Sequence, residues 1–171
     1  MPISQIYSTL PDIVDRKTRS RMMSGIRGRN TKPELIIRSA LHAQGFRFRL
    51  PPRKRKHQLP GNPDLKLTRY NAVMFVHGCF WHGHDCHLFK WPSTRPSFWK
   101  EKIENNILRD NTAIQKLTEN GWKVLTIWEC SMRGRTRLDF NELMSIVTKW
   151  LVFGDIRQEV RGVKEDRDDS L

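Results

Sequence analysis

An α/β fold, with a mixed β-sheet flanked by helices on both faces, is predicted by three features of the 171-residue sequence. The run AVMFV at 72–76 has no polar face, as in a central strand that is covered on both sides. The run WKVLTIW at 122–128 is also predominantly apolar. Between them, residues 98–119 place isoleucines and a leucine at helical intervals. Strands that alternate with helices in this way are typical of α/β domains.

The first predicted helix, 32–44, is delimited by signals at both ends. Thr31 is a good N-cap residue, Glu34 stands where a capping box needs an acid, and Pro33 is tolerated in the first turn. Apolar residues then follow at helical spacing, and Gly45 provides the stop.

The remaining elements follow from shorter patterns. Phenylalanines that alternate with arginines indicate a half-exposed strand at 46–50, and a basic loop at 51–61 follows it. A second strand is predicted at 64–67, joined by a turn to 72–76, and a last helix at 141–153.

The length suits one domain with a real core. We assign it to residues 15–153, in which 16–26 are a candidate for a short helix. Residues 1–14 show no period and are predicted to be a flexible N-terminal arm. Residues 154–171 are predicted to be an acidic, disordered tail, because four acids fall within the last eight residues.

The charge indicates a nucleic-acid partner. Thirty-one basic residues against eighteen acidic ones give a net charge of +13. Such a surface attracts polyanions by releasing their counterions, although a merely soluble basic protein would show the same balance. No apolar run approaches the roughly 18 residues of a membrane span, and the N-terminus lacks the pattern of a secretion signal. We therefore expect a cytoplasmic protein that acts at the nucleoid, with no membrane partner.

The stretch HGCFWHGHDCH at 77–87 offers metal ligands at short spacing. Cys79, His84 and Cys86 can fold around one ion, and Cys130 follows the next predicted strand. Three cysteines exclude a complete disulfide framework, whereas three cysteines and one histidine form a closed set for structural Zn²⁺. His87 is a competing ligand, and unrelated free thiols are the alternative.

Asp64 is the first candidate for catalysis. It follows the turn PGNP and opens a strand, a position where a lone aspartate is usually a turn or cap residue. Its carboxylate would suit Mg²⁺, which prefers oxygen ligands. Pairing of adjacent strands should set it close to the end of the strand 72–76.

The blocks PGNPD, VMFVHGCFWHGHDCHLFKWP and GWKVLTIWEC, within about residues 15–150, resemble the very-short-patch-repair (Vsr) DNA mismatch endonucleases. The resemblance implies a restriction-endonuclease-like fold and a nick in one strand beside the thymine of a T:G mismatch, which arises by deamination of 5-methylcytosine. The implied partner is double-stranded DNA containing that mismatch, with other mismatch-repair proteins as further candidates. The sequence shows no heptad, so a monomer is expected. Two alternatives stay open: a nuclease of the same fold with relaxed specificity, and a zinc-supported module that binds distorted duplex without cutting it.

By position, the resemblance implies five catalytic-site residues. Asp64 matches the catalytic aspartate, which would hold Mg²⁺ together with the backbone carbonyl of Val76. His82 matches the histidine that activates the attacking water, and His77 would lie near the scissile phosphate. Glu34 matches an acid that hydrogen-bonds around the metal waters.

The resemblance also implies the structural and DNA-binding residues. The zinc ligands are Cys79, His84, Cys86 and Cys130. The aromatics that wedge into the base stack are Phe80, Trp81 and Trp99. Two further DNA contacts are candidates apart from the resemblance. Met23 would probe the opposite groove, although a core role explains it at least as well. Lys102, on one face of the predicted helix 98–119, would contact phosphate, although a solvated face explains it equally well. The other tryptophans are predicted to be core residues: Trp91, Trp122, Trp128 and Trp150.

Overall fold

The computed structural model describes residues 30–52 and 58–163, which form three helices and four strands. The helices are α1 (Lys32–Ala43), α2 (Pro96–Glu119) and α3 (Phe140–Phe153). The strands are β1 (Leu65–Leu67), β2 (Ala72–His77), β3 (Lys123–Trp128) and β4 (Arg157–Val160). The predicted arm, the predicted helix 16–26 with Met23, and residues 53–57 of the basic loop lie outside the described residues. No helix within the described ranges is long and apolar enough to cross a membrane.

The four strands form one mixed sheet in the order β1-β2-β3-β4. β1 runs antiparallel to β2, while β2, β3 and β4 are parallel. His77, the last residue of β2, lies opposite Trp128, the last residue of β3. The loops that follow these two strands therefore leave the sheet at the same edge, as the sequence predicted for Cys79 and Cys130.

Each face of the sheet carries its own apolar core, because neighbouring strand residues point to opposite sides. Met74 and Leu125 face α1 and α3 in the larger core. Val73 and Val124 face Ile114 of α2 in the smaller one. This arrangement confirms the predicted α/β class, with helices on both faces and a fully covered β2.

The first turn of α1 differs from the predicted capping box. Thr31 is the N-cap residue, but its hydroxyl donates to Oε1 of Glu34 (2.8 Å) and accepts no backbone N–H. Oε2 of Glu34 accepts the backbone N–H of Asn30 (3.0 Å). Glu34 is thus the acceptor for two groups that precede the helix, and it is 4% exposed.

Two element predictions were wrong. The segment 46–50 forms only a single bridge, between Arg49 and Lys66, because Pro51 and Pro52 follow it and neither can donate a ladder hydrogen bond. The predicted disordered tail begins too early, since residues 157–160 pair with β3 as strand β4. Its polar sequence RQEV gave no strand signal, because only Val160 of the four is buried.

Candidate active site and metal centre

A cleft of about 660 Å³ opens where β2 and β3 end. Val76, His77 and Glu129 line it from the sheet, Glu34 lines it from α1, and Asp110 lines it from α2. In parallel strands, such an edge is where ligand sites of α/β proteins form. The cleft is therefore the first place to look for chemistry.

Asp64 lies immediately before β1 and is held against β2. Its backbone N–H donates to the Met74 carbonyl (2.9 Å), and its Oδ2 accepts the N–H of Val76 (2.8 Å). Burial raises the pKa of the Asp64 carboxyl to about 6; the bond from Val76 opposes this rise, and the charge of Glu34 adds to it. A partly desolvated carboxylate beside a second acid is a natural ligand for a hard cation.

His77 and His82 are stacked in the cleft, with ring centroids 3.8 Å apart and planes 5° apart. Nδ1 of His82 hydrogen-bonds to Oδ2 of Asp110. His77 is 8% exposed, and burial, reinforced by the charge of His82, lowers the pKa of the His77 imidazole to about 3. His77 is consequently neutral at physiological pH, while His82 has an acid to orient it.

Sequence reasoning missed Asp110. A signal existed, because Asp110 lies seven residues after Ile103 and four before Ile114, on the apolar side of α2. An acid in such a stripe is unexpected unless it meets a polar partner.

The four predicted metal ligands converge. The ligand atoms of Cys79, His84, Cys86 and Cys130 all lie within 4.8 Å of one another. The side chain of His87 hydrogen-bonds instead to Thr136 (3.2 Å) and is not part of this group. His84 is held by stacking on Trp128, at 4.1 Å between ring centroids and 14° between planes.

The donor set fits a soft or borderline cation such as Zn²⁺. The N–H of Cys130 donates to Sγ of Cys79 (3.3 Å), and the N–H of Gly162 donates to Sγ of Cys130 (3.3 Å). Hydrogen bonding from the Cys79 thiol lowers the pKa of Cys130, and the same contact raises the pKa of Cys79. Thiols this close cannot all ionise by themselves, whereas a cation among them would stabilise every thiolate.

An aromatic wall stands beside the cleft. The ring centroid of Phe80 lies 5.2 Å from that of Trp81 and 5.4 Å from that of Trp99. Nζ of Lys102 lies 5.6 Å from both indole rings. Trp91 was predicted to be a core residue and is not: it is 56% exposed, because it sits in the irregular segment before α2.

Carboxylates and imidazoles converge in the cleft of a strongly basic domain. These are the groups of a phosphodiester hydrolase that acts on nucleic acid, and the fold and the site define that class of protein. Comparison with known proteins gives the family. Residues 11–88 match the family described as DNA mismatch endonuclease Vsr. A DNA mismatch endonuclease Vsr from Escherichia coli (strain K12) is 44% identical over 83% of this chain and 88% of its own length.

Two nicking enzymes are also similar. The type II nicking enzyme V.XorIIP of Xanthomonas oryzae pv. oryzae is 40% identical over 72% of this chain and 88% of its own length. V.NmeAIP of Neisseria meningitidis serogroup A is 39% identical over 74% of this chain and 87% of its own length. The chain belongs to the DNA mismatch endonuclease Vsr family. It is a nuclease with DNA as its substrate.

Proposed function

We propose that this endonuclease nicks one strand of duplex DNA beside the thymine of a T:G mismatch, the product of 5-methylcytosine deamination, and so starts very short patch repair. The observation that carries the proposal is the meeting of Asp64, Val76 and the stacked His77–His82 pair in one cleft. Binding a distorted duplex needs neither an activated water nor a metal-binding carboxylate, so this grouping favours cleavage over binding alone.

His82 is the general base in this proposal. With Nδ1–H donating to Asp110, its Nε2 carries the lone pair that can accept a proton from the attacking water. Asp110 fixes the tautomer and stabilises the imidazolium that forms. His77, neutral because it is buried, can donate one hydrogen bond to the scissile phosphate without adding charge.

Asp64 and the backbone carbonyl of Val76 are the proposed magnesium ligands, and a Mg²⁺ ion bound there would act as a Lewis acid toward a phosphate oxygen. The contact between the Val76 N–H and Asp64 Oδ2 supports the pairing, since it brings both residues to one point of the cleft. Glu34 is proposed to hydrogen-bond the waters around that ion.

Substrate selection is proposed to come from the aromatic wall. A mismatched step stacks and pairs less well than a normal one, so inserting Phe80, Trp81 and Trp99 there costs less. Lys102, which lies over two of these rings, is placed to contact backbone phosphate. Met23, which lies outside the described residues, is proposed as a contact in the opposite groove.

The proposal also includes a structural Zn²⁺ on Cys79, His84, Cys86 and Cys130, a restriction-endonuclease-like fold, and a monomer that hands its nick to other repair proteins. The convergence of the four ligand atoms supports the zinc site. We propose one catalytic domain that starts near residue 15 and extends past residue 153 to include β4.

The test is a nicking assay on end-labelled duplexes that differ only in one T:G, T:A or other mispair, with Mg²⁺ or EDTA. A metal-dependent nick confined to the thymine strand of T:G is the expected result. Cleavage of many mispairs would assign relaxed specificity, and tight binding without a cut would move the chain to the binding class. Glu104→Gln is the control variant for Asp64→Asn, because it also removes a carboxylate, but from an exposed residue of α2.

A further inference from the structure

Arg38 is a buried cation at the edge of the cleft that the proposed chemistry leaves without a role. Its side chain is 9% exposed, and the residue lines the cleft together with Glu34 and Asp64. An arginine on the second turn of an amphipathic helix would ordinarily extend into water, because a buried guanidinium loses its hydration. Its burial therefore calls for a reason in its surroundings.

The guanidinium of Arg38 joins three parts of the chain. Nη1 donates to Oδ1 of Asn30 (2.6 Å), the residue that precedes the N-cap of α1. Nη2 donates to Oε2 of Glu34 (2.8 Å) and also contacts the backbone carbonyl of Asp64 (3.4 Å). The planar fork thus ties the start of α1, which carries Glu34, to Asp64, the residue that immediately precedes β1.

This contact fixes the Glu34 carboxylate. Oε1 accepts the Thr31 hydroxyl, while Oε2 accepts the Asn30 N–H and the Arg38 guanidinium. These three donors hold the Glu34 carboxylate in one orientation. Rotation of the Glu34 side chain would break these bonds, so its position relative to Asp64 is fixed. The charge of Arg38 also offsets the repulsion between the two acids, because Glu34 raises the pKa of the Asp64 carboxyl and Arg38 lowers it.

Stability alone does not account for the arrangement. Nε of Arg38 is buried and has no hydrogen-bond partner among the residues that the structure describes, and an unpaired buried donor is unfavourable. An apolar side chain of similar length would avoid that cost, because buried ion pairs are often no more stabilising than well-packed hydrophobic groups. What the apolar replacement would lose is the fixed geometry of Glu34 beside Asp64.

We infer that Arg38 is a positioning residue that holds Glu34 against Asp64 and so preforms the divalent-cation site before the ion arrives. The inference rests on the proposed magnesium chemistry. It predicts that Arg38→Met weakens metal binding by about 10–100-fold, the usual effect of removing a group that orients metal ligands. Arg38→Lys should lose less, because the ammonium keeps the charge but cannot donate as a planar fork.

The experiment measures metal binding without turnover. Mn²⁺ is titrated into zinc-loaded protein bound to a T:G duplex with a non-hydrolysable linkage at the nick site, and free Mn²⁺ is counted by electron paramagnetic resonance after subtracting a DNA-only blank. Arg47→Met is the matched control, because Arg47 is exposed and, among the described residues, its side chain bonds to the backbone carbonyls of Phe46 and His42 alone. Unchanged Mn²⁺ affinity in a folded Arg38→Met or Arg38→Lys protein would overturn the inference.

A double variant separates positioning from general stabilisation. If Arg38 acts through Glu34, Arg38→Met in the Glu34→Gln background should add no further loss of Mn²⁺ affinity, whereas independent effects would add. Asp64→Asn distinguishes the two proposals. If Asp64→Asn loses Mn²⁺ binding but the Arg38 variants keep it, the role of Arg38 is rejected and the metal site stands. If Asp64→Asn keeps Mn²⁺ binding, the metal site itself is rejected.

Discussion

His77 and His82 stack face to face in the cleft, although they lie five positions apart in the sequence and, within the described residues, only His82 has a carboxylate partner. The stack places a buried, neutral imidazole against one that an acid orients. The last residue of β2 and a histidine of the loop that follows it thus lie in different surroundings, which supports the proposed roles of His77 as a neutral donor and His82 as a base.

Removing the base or its partner should slow cleavage to different extents. We expect His82→Ala to lower the single-turnover nicking rate about 10²–10⁴-fold, the usual contribution of general-base catalysis. Asp110→Asn should cause a smaller loss, because the base remains but its tautomer is no longer fixed. A nicking rate in His82→Ala equal to that of the parent protein would remove His82 from the mechanism.

Asp64→Asn should abolish nicking, leave mismatch binding largely intact, and raise stability at pH 8. Burial raises the Asp64 pKa from 3.8 to about 6, so its ionised form destabilises the folded state by about 3 kcal/mol in the absence of metal. That penalty is absent below about pH 4, grows between about pH 4 and pH 6, and is constant at higher pH. Thermal unfolding at pH 4 and pH 8, with EDTA, should therefore show a gain for the variant only at the higher pH. Loss of folding instead would assign Asp64 a structural role.

The same pKa makes magnesium and protons compete. Nicking should fall as the pH drops through about 6, because Asp64 binds a cation only when it is deprotonated. Higher Mg²⁺ should move this acidic limb to lower pH. Rate profiles at two Mg²⁺ concentrations provide the check, and a limb that does not move with Mg²⁺ would assign the titration to a group that does not bind metal.

The zinc content of variants should distinguish His84, a proposed zinc ligand, from His87, which is not proposed as one. Cys130→Ala and His84→Ala should release zinc and destabilise the loop 77–87, since each removes one of four converging ligand atoms. His87→Ala should keep one zinc per chain, because His87 bonds to Thr136 outside that group. The measurement is the number of zinc ions per chain in each purified variant. One zinc per chain in Cys130→Ala would refute the ligand set.

Truncating the aromatic wall should weaken mismatch recognition more than it weakens general DNA binding. Stacking on a base is worth about 1–3 kcal/mol per aromatic side chain. We expect Trp99→Ala to weaken binding to a T:G duplex by an amount in that range and to leave affinity for a T:A duplex nearly unchanged. Phe153→Ala, which removes an aromatic side chain that is 85% exposed at the end of α3, is the control in a paired binding titration. Equal losses on both duplexes would indicate a role in packing.

The site was predictable where its residues are close in sequence or have few competitors. Three cysteines and the spacing from Cys79 to Cys86 predict one cluster, and the strand patterns bring Cys130 to it. Asp110 and Arg38 were missed, because a charged residue on a helix normally faces water and only the packed structure reveals its partner.

The errors in the fold have a related origin. β4 is stabilised by the edge of β3 rather than by apolar residues of its own, so its sequence carries little signal. Trp91 illustrates the reverse case. Its side chain is apolar, but in an irregular segment no periodicity indicates which way it points.

The cluster of three cysteines and His84 is completed only late in synthesis of the chain. Cys79 and Cys130 are 51 residues apart, and the backbone donor to Cys130 lies a further 32 residues on. At about 5–20 residues per second, a ribosome takes several seconds to synthesise the segment from Cys79 to Cys130. During this time the first thiols have been synthesised but their partner has not, so the nascent chain is most exposed to oxidation and to capture of the wrong ion before its last strand has emerged.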